Sequence, residues 1–366
     1  MIKVMREPLV PLHLLALNAD ASLPWRQAVS SGIAVGIPAL VGLLAGDVIG
    51  ALLGAIGGLY ATLLDYGGTA RHRLMTQAFG LIVILGSGAI GLWLGPHHIM
   101  MFVSLAVLTF VIGWNDGLGV ALDNIFRFAA LALVLYAYLT APPAAAFIYL
   151  ALGIGVGVVS VLVDDRLWPR ALPRQHPGLR NSFRRIRAGH SAGIWHALGL
   201  SVTTCAALWI AQHTHYPRPA WVATVVLFVT RPDGLDSLTR LFRSVFGAII
   251  GVALAWLVSH LTPQAWALYG WAVLFAFLRP LALARNFWAH YALMTAMILL
   301  LFDLMFYPSG NHLAGIEILG IRLHGVLLGS VIALLGMVTF NRQARGYFVQ
   351  QVRDYSPAWL GGRRKP

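Results

Sequence analysis

The chain has a single cysteine, Cys205, set inside an apolar stretch, which excludes an internal disulfide and any cysteine-based metal site. Charge is scarce too: Asp, Glu, Lys and Arg make up 11% of the 366 residues, and only 13 residues are acidic. No glycine-rich loop ending in Lys-Ser/Thr occurs, so direct ATP coupling through a phosphate loop is excluded. The first 25 residues carry Lys3 and Arg6 and one short apolar run broken by Pro8 and Pro11. Lacking a full apolar h-region and a small-residue cleavage site, they read as a cytoplasmic arm, with an interfacial helix as the alternative.

Apolar surface is what the chain has in excess, with 58% hydrophobic residues and a mean hydropathy of +0.75. Runs near 20 residues recur, which is the pattern of a polytopic helical membrane protein, whereas a membrane barrel would alternate over ten-residue segments. Apolar segments fall at 27–45, 48–64, 74–95, 99–114, 120–140 and 144–163, and again at 191–211, 219–230, 241–261, 265–278, 287–307 and 313–340. Twelve crossings put both termini on one side, and the cytoplasm is that side if the basic residues are to lie inside. With Arg218 and Arg322 set apart, the other 24 of the 26 Lys and Arg are then assigned to the inner loops, the linker and the tails. Orientation therefore accounts for the net charge of +13 before any nucleic acid is needed.

A fixed-offset echo runs through the chain. Leu64-Asp65-Tyr66-Gly67-Gly68 breaks the apolar pattern, and Arg73 stands seven residues before Gly80. Arg231-Pro232-Asp233-Gly234 breaks it again 167 residues later, and Arg240 stands seven before Gly247. Asn124 and Asn286 each open a fifth segment, and Gly153-xxx-Gly157 in the sixth corresponds to Gly325-xxx-Gly329. The expected fold is all-α, with about twelve transmembrane helices in two parallel six-helix repeats. Its parts are an arm over 1–25, a first unit over 26–163, a basic linker over 164–190, a second unit over 191–340 and a cytoplasmic tail over 341–366. The linker holds Arg166, Arg170, Arg174, Arg180, Arg184, Arg185 and Arg187, which suits anionic lipids of the inner leaflet or a regulatory ligand. The glycine-rich second segment, with Gly46, Gly50, Gly54, Gly57 and Gly58, reads as a close-packing face or a smooth pathway wall.

Candidate functional residues gather in the second unit. Segments 219–230 and 265–278 would span only about 18 and 21 Å, short of the ~30 Å hydrocarbon core, and so point to a pathway or a thinned bilayer. Arg322 falls near the midplane on the glycine side of its helix, where an arginine costs about 2.5–3.5 kcal/mol to insert. It serves an anion pathway or a structural ion pair. Asp303, one helix back, is within reach as a partner, while Glu317 lies about 140° around the same helix; either could relay a proton or sit in an outer vestibule. Arg231, Arg240, Arg243, Arg279 and Arg285 cluster at the inner mouth, as topology anchors or as an electropositive funnel. Trp221 and Phe287 are placed to stack on an aromatic substrate or to anchor the interface. His97-His98, His213-x-His215 and Asp164-Asp165 each lack a third ligand at a usual spacing, so no metal and no cofactor is expected. Asn115-Asp116 with Asp123 resembles an aspartate-rich prenyl-transfer motif, but the spacing does not place two carboxylates on one helix face.

Pro219, Trp221, Pro232, Thr239, Arg243, Gly247 and Gly251, followed by Arg322-xx-Gly325-xxx-Gly329, resemble the fusaric acid resistance (FUSC) family. This group is also described as aromatic acid exporters and is distantly similar to plant aluminium-activated malate channels. The resemblance covers 191–340 well and 24–165 faintly. The first half departs from it, with Thr76 in place of Arg243 and Leu150 in place of Arg322, and the long cytoplasmic domain of many relatives is reduced to the linker. The resemblance implies a non-enzymatic inner-membrane exporter of small organic anions, notably aromatic carboxylates, driven by membrane potential or a proton gradient. An anion channel of the same fold, a non-transporting assembly subunit and a membrane enzyme acting on a lipid-linked substrate are the alternatives. The partners considered are the substrate anion, anionic lipids, a second copy of the chain and a periplasmic adaptor, with no nucleic acid among them.

Overall fold

The computed structural model describes residues 15–139, 144–168, 178–306, 312–346 and 349. In the first half lie α1 (Trp25–Leu44), α2 (Val48–Leu63), α3 (Ala70–Leu94), α4 (Ile99–Asn115), α5 (Val120–Ala137) and α6 (Ala144–Leu167). The short α7 (Leu179–Arg187) follows. The second half holds α8 (Ile194–His213), α9 (Pro219–Val229), α10 (Gly234–Leu261), α11 (Ala265–Arg285), α12 (Phe287–Phe306) and α13 (His312–Phe340). Among the described residues, nine helices are long and apolar enough to cross a membrane, and α2, α4 and α9 are shorter apolar helices. Large apolar side chains, among them Ile82, Trp93, Trp195 and Trp209, lie exposed on the outside of the bundle. Such a surface suits lipid and not water. The chain is a helical membrane protein.

Every expected segment coincides with a helix, but two boundaries move by seven residues, from 241 to 234 and from 278 to 285. α10 starts at Gly234 instead of 241, because the Asp233 carboxylate caps it, accepting from the Leu235 and Asp236 amides at 2.8 and 3.3 Å. α11 continues past 278 to Arg285, so it has 21 residues and a length of about 31 Å. The segment expected to be short is therefore long. In sequence Arg279 ends the apolar run, yet its side chain is buried against α1 and α2 and the helix passes through it. Of the two segments singled out as shortest, α9 alone remains so. Most of the linker's first part, including Arg170 and Arg174, lies outside the described residues, as do most of the arm and of the tail.

One packing scheme occurs twice. α2 lies between α1 and α6, and α3 packs on α5; in the same order, α9 lies between α8 and α13, and α10 packs on α12. The halves also interlock reciprocally: α1 packs on α11 and α2 touches α12, while α8 packs on α4 and α9 touches α5. Two cores result. One joins Val35, Leu52 and Leu59 of the first half to Phe275, Met297 and Leu300 of the second. The other joins Met101, Leu105 and Leu133 to Leu200, Leu208 and Ala223. The motif glycines serve the intimate pairs: a Cβ on Gly247 or Gly251 would come 2.5 Å from a carbonyl of α12.

The loops sort by parity. Ala192 donates to the Trp114 carbonyl at 2.9 Å, Arg185 of α7 reaches the Gly117 and Leu118 carbonyls, and Asn341 donates to the Pro232 carbonyl at 3.1 Å. Arm residues 15–19 dock on the α11–α12 turn through Arg285, Asn286 and Trp288. All of these are loops expected inside. Among the loops expected outside, Gln212 donates to the Pro96 carbonyl at 2.8 Å and bonds the Tyr138 hydroxyl.

Candidate functional site

α9 is short for local reasons. Pro219 opens it at a position where the missing N–H costs nothing, and Arg231 stands before Pro232, which disfavours helical backbone there and ends it. Trp221, near its start, faces α13. Gly325 and Gly329 allow that contact, because a Cβ would meet the Tyr216 hydroxyl at 2.8 Å in the first case and the Val222 carbonyl at 2.6 Å in the second. The Tyr216 hydroxyl also donates to the Ile321 carbonyl and ties the turn before α9 to α13.

This close approach sets Arg322 on the face of Trp221, its guanidinium 5.3 Å from the ring centroid. Arg322 is only 8% exposed, and its Nη2 donates to the Tyr291 hydroxyl of α12 at 3.3 Å. Trp221 in turn meets Phe302 edge-on at 5.9 Å, and the Arg218 guanidinium lies 5.4 Å from the Phe302 centroid. Arg322, Trp221, Phe302 and Arg218 thus form a continuous ladder with a cation at each end. A guanidinium carries five N–H donors, and one phenol plus a ring face, worth about 0.5–2 kcal/mol, occupies few of them. Neither cation has a carboxylate partner among the described residues.

The expected Asp303 partnership is therefore absent. Arg322 meets α12 at Tyr291, twelve residues before Asp303, or about 18 Å along the helix. Asp303 is half-buried and Glu317 exposed. Arg240 pairs with Asp236 at 2.9 Å on the surface and lies over Phe287 at 5.5 Å, and Arg243 is half-buried one turn further in. These two remain near the expected mouth, away from the ladder.

Arg231 belongs to a different cluster, built around Asp116 in the α4–α5 turn. The Asp116 carboxylate accepts from Arg127 of α5, shares a 3.0 Å hydrogen bond with His196 of α8 and lies 3.5 Å from Arg231. Arg127 donates as well to the Leu227 carbonyl near the end of α9. Burial alone would raise the Asp116 pKa, but Arg127, the His196 hydrogen bond and Arg231 outweigh it and hold it at about 2. Burial, followed by Arg127, brings Arg231 down to about 9, still cationic at neutral pH. A carboxylate so surrounded is a structural knot and not a base, and Arg231 is a prop within it, not part of an open funnel. Sequence reasoning does not single out Arg127. The available signal was its position inside the 120–140 segment, which an arginine tolerates only with a partner.

Residues 205–336 match a family model described as fusaric acid resistance protein-like. The comparisons with curated proteins and with solved structures give no match. The fusaric acid resistance-like segment covers about a third of the chain, and it contains the whole ladder from Arg218 to Arg322 and every candidate pathway residue named from the sequence. Asp116, Arg127 and His196 lie before it.

Outside the fusaric acid resistance-like segment, the first half treats the echoed positions differently. Arg73 donates through Nε and Nη2 to both oxygens of Asp65, at 2.7 and 2.6 Å, and through Nη1 to Asp164 at 2.6 Å. Asp164 also receives Arg26 at 2.8 Å, so two cations meet two anions in a balanced network. The position of Arg322 is taken by Leu150, in the wall of an apolar groove of about 270 Å³ with Tyr136 and Phe147. Unpaired positive charge on the ladder is a property of the second half.

Proposed function

We propose that the protein is a multi-pass transporter of a bacterial inner membrane that exports small organic anions, aromatic carboxylates above all. The observation that carries this is Arg322: buried, without a carboxylate among the described residues, and stacked on Trp221. An aromatic carboxylate matches both features, its oxygens taking the free N–H donors and its ring joining Trp221 and Phe302. Arg218 offers the next cation along the ladder. Because no acid accompanies Arg322, potential-driven passage is favoured over proton relay. An interior-negative potential already favours anion exit by about 2.3 kcal/mol per charge per 100 mV, which also suits a channel-like mechanism. Purified protein in liposomes under a potassium diffusion potential should pass benzoate-like anions out of the negative compartment. Absence of flux for every carboxylate tested, in vesicles shown to be intact, would refute the proposal.

In this reading the recurrent packing reflects two parallel units, and the short α2, α4 and α9 are crossings completed by their flanking turns. The exposed Arg180, Arg184 and Arg187 of α7 then face anionic lipid headgroups at the cytoplasmic surface. The sole cysteine makes the topology testable. In a Cys205→Ala background, His97→Cys and Gln264→Cys should react with a membrane-impermeant thiol reagent added to intact cells, and Arg180→Cys should react only after lysis. Labelling of Arg180→Cys in intact cells would invert the orientation.

A further inference from the structure

A second buried arginine has no counter-charge among the described residues and lies apart from the ladder. Arg279 of α11 is 3% exposed. Its Nη2 donates to the Ser31 hydroxyl of α1 at 3.1 Å and reaches the Thr62 hydroxyl of α2 at 3.5 Å, while its Nε has no hydrogen-bond partner. No carboxylate pairs with it among the described residues. The titratable group beside it, His290 of α12, meets its backbone carbonyl through Nδ1 at 3.3 Å. Helices from both halves therefore enclose an uncompensated cation.

The reciprocal contact shows what is missing. α11 packs on α1 as α4 packs on α8, and at the α4–α8 contact Asp116 neutralises the arginines gathered there. At the α11–α1 contact no described residue does. Removing a guanidinium from water without a partner is strongly unfavourable, so the arrangement calls for an anion from outside the chain. The free groups indicate where it sits. Nε and Nη2, the nitrogen that reaches Ser31, share one edge of the guanidinium. Ser31 accepts from Nη2, which leaves its own hydrogen free to donate, whereas Thr62 donates to the Leu59 carbonyl at 3.1 Å and is spent.

We infer that Arg279 holds a small monovalent anion between its Nε–H and the Ser31 hydroxyl, supplied as chloride from solution or as the carboxylate of an organic acid. The site does not depend on the transport reading, since the anion can be resident and need not move. The test is thermal unfolding of the purified full chain in detergent, in sodium gluconate with chloride or benzoate exchanged in at constant ionic strength. A saturable rise in Tm is expected. Ser31→Ala should raise the half-saturating concentration about tenfold or more, as loss of one hydrogen bond to a charged group implies. Arg279→Gln should remove the response to chloride, and the response to benzoate once Arg322→Gln has removed any share of the ladder; Ser31→Ala carries the test if the Arg279 variant fails to fold. Arg322→Gln should keep the response, which separates this site from the ladder. A response to chloride assigns a halide, and a response to benzoate alone assigns a carboxylate. The inference is overturned if neither anion raises the Tm, if Ser31→Ala titrates like the wild type, or if Arg322→Gln abolishes the response.

Discussion

Arg322→Gln should insert and fold normally yet lower aromatic-carboxylate flux in liposomes at least about tenfold. The size follows from the interaction removed, since a charge-assisted pair in a dry site is worth about 1.5–3 kcal/mol and 1.4 kcal/mol is tenfold. Folding should survive because Arg322 has no ion-pair partner to strand among the described residues, and the amide can still bond the Tyr291 hydroxyl. Arg322→Lys separates the two parts of the site. An ammonium keeps the charge but loses the planar fork, so it should restore flux in part. Flux through Arg322→Gln equal to wild type for every carboxylate would remove Arg322 from the pathway, and loss of folded protein would assign it to structure.

Asp116→Asn should do the reverse, with a large loss of stability whatever its effect on flux. It leaves Arg127 and Arg231 close together with their shared carboxylate gone. Removing one member of a buried pair costs about 3–5 kcal/mol. The pH dependence has a definite sign. The Asp116 pKa is depressed from 3.8 to about 2 by folding, so its contribution is complete above 3.8 and declines as the pH falls towards 2. The Tm gap between wild type and Asp116→Asn should stay constant from pH 7 to about 5 and close below about 4. A gap that narrowed already between pH 7 and 5 would mean that another group holds the knot together.

Both results turn on whether a given arginine is compensated, and this was only partly legible beforehand. Arg322 stood out because a cation interrupts an otherwise apolar run next to glycines, a local pattern with a direct energetic meaning. Its partner was anticipated as Asp303 and proved to be Tyr291 with Trp221, because helix register, and not proximity in the chain, decides which turn of α12 faces α13. Arg279 and Arg231 were read as mouth charges because each sits at the end of an apolar run. A run's end looks the same in sequence whether the side chain turns to water or folds back among neighbouring helices. The echo of Asp65 and Arg73 was visible, but not that Asp164 and Arg26 would complete it from α6 and α1.

The sequence by itself determined the membrane class and where the helices lie, because hydropathy, proline and glycine act within a few residues of where they stand. It also marked the stretch around Pro219, Trp221 and Arg322. Only the tertiary structure decided which charges are neutralised: carboxylates brought in from other turns and helices compensate Arg73 and Arg127, whereas among the described residues Arg322 meets only an aromatic ladder and a phenol, and Arg279 only hydroxyls. The reason is physical. Burial and counter-charge depend on which distant segments meet across a low-dielectric interior, and no local window of the chain contains that information.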